Sequence, residues 1–109
     1  MNYYNIWANP KDGVDARDFA IKMRVFLDQL VTMKRMSSYK LSRMKLGFRS
    51  IDLPEFHVLM VFETMQQLDD AMTAILEDEQ NIESAHVAFN QLVDGDTIHH
   101  ALYRDYPDE

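Results

Sequence analysis

Cysteine is absent from the 109-residue chain, and glycine and proline occur only three times each. Without thiols there is no disulfide framework, no zinc thiolate site and no cysteine nucleophile. So few glycines leave no glycine-rich phosphate loop, and no serine sits in a nucleophile elbow. Basic residues are outnumbered 11 to 18 by acidic ones, giving a formal charge of -7 that repels phosphate backbones and anionic headgroups alike. Nucleic acid and membrane are therefore not expected as partners. No apolar run approaches the ~18 residues of a membrane span, and the opening MNYYNIWANP lacks a basic segment followed by a long apolar one. A cytoplasmic location is the expectation.

What the chain does have is 47% hydrophobic and 27% charged residues, the balance of a globular protein. Its length suits one domain, residues 1–109, which on folding hides roughly two-thirds of the surface exposed by the unfolded chain.

The aromatic and β-branched run from Tyr3 to Ala8 predicts a first strand, stopped by the turn residues NPKDG. From Asp15 onward, Ala16, Phe19, Ala20, Met23, Phe26, Leu27, Leu30 and Val31 recur at the spacing of one helical face. Asp15 and Asp18 suit that helix's N-terminal end, and Lys34 and Arg35 its C-terminal end. SSYKLSRMKLGF reads as a second strand whose apolar phase slips from odd to even positions, predicting a bulge near Ser42 or Arg43. Phe56 to Phe62 is a third strand, followed by a helix capped by Thr64, with Met65, Leu68, Ala71, Met72 and Ile75 facing inward. The acidic run EDEQN interrupts it. Ile82, Ala85, Phe89 and Leu92 mark a further helix ended by Gly95, and DTIHHALYRDY is a fourth strand.

This order predicts an α+β, ferredoxin-like βαββαβ fold: a four-stranded antiparallel sheet with its helices on one face and the second crossover split into two helices. The third strand is apolar on both sides. Phe56, Val58, Met60 and Phe62 share one face, and Leu59 and Val61 lie on the other beside His57. An antiparallel sheet covered on one side ordinarily alternates apolar with polar residues. Here the second face also needs a cover, at about 25 cal/mol per Å² of apolar surface. The same face of a second copy, related by a two-fold axis, is the most economical one. A homodimer with the sheets face to face, a dimeric α/β barrel, is therefore expected.

HVLMVFETMQQLDDAM is similar to the third strand and following helix of the dimeric α/β-barrel superfamily, and ESAHVAF to its later, histidine-bearing helix. The superfamily includes antibiotic-biosynthesis and haem-degrading monooxygenases, ethyl tert-butyl ether degradation proteins and stress-responsive barrel proteins. The resemblance covers the whole chain as element order and implies a pocket between helices and sheet. In the haem-degrading branch a strand-one asparagine, a helix tryptophan and a histidine iron ligand act together. Asn5 and His86 match the first and last by position. The helix from Thr64 to Leu76 has no tryptophan, and the chain's single one, Trp7, is on strand one. This departure argues against haem, and no cofactor is expected.

Candidate ligand-binding residues are Asn5, Trp7, Arg43, His57 and His86. His86 stands beside an apolar helical stripe and is a natural proton carrier. Arg43 shares a strand face with Tyr39 and Leu41 and suits a two-pronged grip on a carboxylate, or else an ion pair with Glu63 or with an aspartate across the dimer. Six of the eleven basic residues, Lys34, Arg35, Lys40, Arg43, Lys45 and Arg49, crowd positions 34–49, where most protect an edge strand from stray pairing. His99 and His100 are strand neighbours pointing oppositely, so they cannot grip one ion, and no metal site is expected. Eight methionines, with Phe26, Phe62, Phe89 and Trp7, suit a pocket for a flat or long apolar guest, and Tyr3, Tyr4, Tyr103 and Tyr106 are candidate hydroxyl anchors. The expected function is binding of a small apolar ligand, carboxylate-bearing or fatty-acid-like. The alternative is a cofactor-free monooxygenase or related small enzyme acting on an aromatic or polyketide-like substrate, and a third reading is a purely structural dimer.

Overall fold

The side of each strand that meets the helices is fixed by alternation, and it is clearest in Phe56–Phe62. There Phe56, Val58, Met60 and Phe62 are buried, and His57, Leu59 and Val61 between them are half-exposed. A computed structural model describes residues 1–107. Its strands are β1 (Asn2–Pro10), β2 (Ser38–Arg43), β3 (Phe56–Phe62) and β4 (Val93–Arg104). They form one antiparallel sheet in the order β2-β3-β1-β4. Helices α1 (Ala16–Thr32), α2 (Met65–Leu76) and α3 (Ile82–Asn90) complete the predicted βαββαβ order, and a short 3-10 turn, Glu79–Asn81, splits the second crossover.

Helix α1 starts where the sequence places it because Asp15 caps it. Its Oδ1 accepts from the backbone N–H of Arg17 at 2.7 Å and of Asp18 at 3.3 Å. Phe19, Met23, Phe26, Leu27 and Leu30 fall on one face and are buried against the inner side of β3. The helix stops at Thr32 and Lys34 turns left-handed (φ 60°), so Lys34 and Arg35 do not form its last turn. Arg35 instead makes a two-pronged contact with Glu79, at 3.0 and 3.2 Å.

Thr64 caps α2, its hydroxyl accepting from Gln67 N–H at 3.0 Å. The fully buried residues of α2 are Ala71 and Ala74, whereas Met65 is 40% exposed rather than inward and Met72, 38% exposed, reaches the edge of the interior. The acidic run breaks the crossover through left-handed residues, with φ of 53° at Asp78, 51° at Gln80 and 63° at Asn81.

Two further local expectations are corrected. No bulge lies in β2. That strand ends at Arg43, and the even-phased Met44, Leu46 and Phe48 belong to the β2–β3 connection, where Leu46 and Gly47 both have positive φ. The irregularity sits between β1 and β4 instead, between Trp7 and Asn9. Gly95 does not end α3, which closes at Asn90 with Gln91 as its cap; Gly95 lies within β4.

Cross-strand partners identify the sheet face turned away from the helices. Its residues are Ser38, Lys40 and Ser42 from β2, His57, Leu59 and Val61 from β3, Tyr3, Asn5 and Trp7 from β1, and His99, Ala101 and Tyr103 from β4. No helix of the described chain covers this face. It carries an apolar and aromatic band over β3, β1 and β4, with a polar margin along β2.

Candidate functional site

Helices and sheet do not close completely on one another. Between them lies a cavity of about 260 Å³, walled by Met23, Phe26, Leu27 and Leu30 of α1, by inner-face residues of the sheet and by parts of α2 and α3. The partly exposed Met72 and Ile98 are at its boundary with solvent. Almost all its wall is apolar. Tyr4 from the sheet, and His86 and Asn90 from α3, supply its polar side chains.

His86 reaches this wall because α3 presents Ile82, Ala85, His86 and Phe89 on neighbouring faces of its short length. Its ring tilts against Phe26, with centroids 5.1 Å apart. Glu83 Oε2 lies 3.5 Å from His86 Nδ1, too far for a good hydrogen bond, and the buried Nδ1 has no hydrogen-bond partner among the described residues. Tyr4 stands on the inner face of β1, its hydroxyl 3.2 Å from His100 Nδ1 and the two rings edge-on. The sequence marks Tyr4 only as one of several possible anchors, because its pairing with His100 spans 96 residues and depends on strand register. His99 pairs with Trp7 on the outer face while His100 pairs with Ile6 on the inner one, so the two histidines do point apart.

Of the five residues expected to line a pocket between helices and sheet, only His86 does so. Asn5, Trp7 and His57 have odd positions on β1 and β3 and therefore gather on the other face. There they form a cluster of their own. Asn5 Nδ2 donates to the carbonyls of Tyr3 at 3.2 Å and Ala101 at 3.4 Å, which turns Oδ1 toward His57 Nε2 at 2.9 Å. With its amide so oriented, Asn5 accepts, and His57 carries its proton on Nε2. The indole of Trp7 stacks on the imidazole at 4.9 Å. Arg43 is on the inner side of edge strand β2, over the Phe56 ring at 5.6 Å, but Glu55 takes its guanidinium, rather than Glu63. It is no part of the cavity wall.

Burial lowers the His57 pKa from its ordinary value of 6.5. The folded chain thus favours the neutral ring, and the resulting stability is fully present above pH 6.5 and is lost as pH falls through the lowered folded value. Melting temperatures followed from about pH 8 to about pH 5 are expected to fall on the acid side, and to fall less steeply in His57→Gln.

Known proteins share this architecture but little sequence. A crystal structure of a protein from Arabidopsis thaliana superposes with a TM-score of 0.73 at 11% identity, covering 100% of this chain and 99% of that one. A dimeric ferredoxin-like protein of unknown function from Jannaschia sp. gives 0.70 at 14% identity, covering 95% and 98%. A NIPSNAP family protein from Agrobacterium tumefaciens gives 0.64 at 5%, covering 99% and 95%. These likenesses establish the ferredoxin-like fold. No curated protein matches the chain. All of residues 1–109 match one family model, and the chain belongs to that family of unknown function, DUF6614.

Proposed function

We propose that this protein is a homodimer, joined through the outer sheet face, whose subunits each bind a small and largely apolar molecule between helices and sheet. The observation that carries the binding reading is the 260 Å³ cavity with its nearly continuous apolar wall. Apolar cavities of about 150 Å³ stay dry and take up benzene, so this one has room for a molecule of two fused rings or a short chain. His86 is the only residue of the expected site that touches this space. A carboxylate on the ligand would lack its expected partner, since Arg43 stands outside the cavity and is held by Glu55.

Self-association is supported by the uncovered band of Leu59, Val61, Trp7, Tyr3 and Tyr103, and by the dimeric state of the Jannaschia neighbour. The β2–β3 connection also exposes Leu46, Phe48 and Ile51 at 82%, 83% and 65%, an apolar display that lone soluble chains rarely keep. In such a dimer Asn5, Trp7 and His57 lie at the seam between subunits.

Binding is tested with 1-naphthylamine, an uncharged two-ring probe whose fluorescence shifts to the blue in apolar surroundings. The wild type is expected to bind it, and Met72→Trp, which places an indole at the cavity boundary, is expected to weaken binding about tenfold or more. Unchanged binding by Met72→Trp, or none by the wild type, contradicts the reading.

A further inference from the structure

The geometry points to a polar recognition point at the solvent-open edge of the cavity: the Tyr4 hydroxyl, held by His100, selects an uncharged apolar molecule bearing a hydroxyl group. This inference rests on the binding reading above and specifies its ligand. Three observations support it together.

First, the wall has no lysine or arginine to meet an anion. Its polar residues are Tyr4, His86 and Asn90, and Glu83, a carboxylate, stands 3.5 Å from His86. Burying a carboxylate with no cationic partner is far more costly than burying a hydroxyl that finds a hydrogen bond. The site therefore disfavours fatty acids and aromatic acids.

Second, Tyr4 is fixed by a partner outside the cavity wall. His100 stands beside it on β4, exposed to solvent, with Nδ1 3.2 Å from the phenolic oxygen, and it does not line the cavity. A hydroxyl already held in one orientation loses less freedom when a ligand arrives.

Third, the Tyr4–His100 contact works with either histidine tautomer only for a ligand that can both donate and accept. If Tyr4 donates to Nδ1, its oxygen keeps lone pairs that a donor on the ligand can fill. If the imidazole donates from Nδ1, the phenolic O–H is free and needs an acceptor. An alcohol or phenol satisfies both arrangements. A carboxylate satisfies only the second, and a bare hydrocarbon neither.

Equilibrium dialysis of the full chain at pH 7.5 with naphthalene, 1-naphthol and 1-naphthoate tests this. Naphthalene measures the cavity alone. The wild type is expected to bind 1-naphthol about three- to tenfold more tightly than naphthalene, the gain from one net hydrogen bond. It should bind 1-naphthoate at least about tenfold more weakly than 1-naphthol. Tyr4→Phe keeps the ring and should abolish the preference for 1-naphthol over naphthalene, and an unchanged far-ultraviolet circular dichroism spectrum shows that the variant is folded. His100→Ala, removing a positioning residue, should shrink the preference for naphthol over naphthalene without altering naphthalene binding. If naphthalene binds and 1-naphthol shows no preference, or the preference survives Tyr4→Phe, the inference is overturned while the cavity reading stands. Tightest binding by 1-naphthoate overturns it likewise. If none of the three binds, the inference and the binding reading fall together.

Discussion

Replacing Leu59 with aspartate is expected to turn a two-subunit particle into single chains at micromolar concentration. Leu59 sits at the middle of β3 on the face away from the helices, paired with Asn5 on β1 and Lys40 on β2. In a face-to-face dimer related by a two-fold axis, one substitution alters the interface twice. Even with Lys40 opposite it, a carboxylate forced into an apolar seam has to give up its hydration; at about 3 kcal/mol per copy, the dissociation constant rises by roughly four powers of ten. The monomer's own core lies on the other side of the sheet, so the variant should keep the wild-type far-ultraviolet circular dichroism spectrum. Sedimentation velocity then shows one slow species where the wild type shows a faster one. A Leu59→Asp protein that sediments like the wild type contradicts a seam on this face.

The second large effect is expected inside the subunit. Phe19 is fully buried on α1, with its ring 4.9 Å from Phe56 of β3 and 5.7 Å from Phe89 of α3. It thus joins the first helix, the sheet and the last helix at one point. Truncation to alanine removes the contacts on all three sides and leaves a hole, at a cost of about 3–5 kcal/mol. Stabilities of small domains are commonly about 5–15 kcal/mol, so this change consumes a large share of the total. Urea denaturation of Phe19→Ala should show its midpoint strongly lowered with little change in slope, at one fixed protein concentration because the stability of the proposed dimer depends on it. A loss below about 1 kcal/mol would mean that Phe19 does not join these layers as described.

Much of this architecture is legible in the chain because local chemistry and long-range packing agree there. Asp15 and Thr64 cap helices where the sequence predicts, since capping depends only on residues two or three positions away. The third strand has the predicted limits, Phe56 to Phe62, because strict alternation on its inner face requires both ends. Where the reading failed, a tertiary choice overrode a local pattern. The apolar residues Met44, Leu46 and Phe48 resemble a continuing strand, yet positive φ at Leu46 and Gly47 turns them into an exposed connection. Gly95 looks like a helix terminator but serves within β4, because α3 is already capped at Gln91.

The site was less legible than the fold for a related reason. A face assignment is a parity, and parity tells which residues share a side but not which side the helices occupy. Asn5, Trp7 and His57 share odd positions and do cluster, though on the side opposite the cavity. His86 was legible because the helical stripe of Ala85 and Phe89 already points at the sheet. The Tyr4–His100 contact was hidden, since it joins the first strand to the last through a register that no local pattern encodes. Arg43 lies on the strand face that the sequence predicts, outside the cavity wall and paired with Glu55.

Sedimentation equilibrium of the wild-type protein, from about 1 to about 100 µM, tests the central claim most directly: that the sheet face away from the helices is covered by a second copy. The account predicts a mass twice that of the 12.8 kDa chain over most of this range. A mass equal to one chain throughout contradicts it, because the band of Leu59, Val61, Trp7 and Tyr103 would then stand in water with nothing against it.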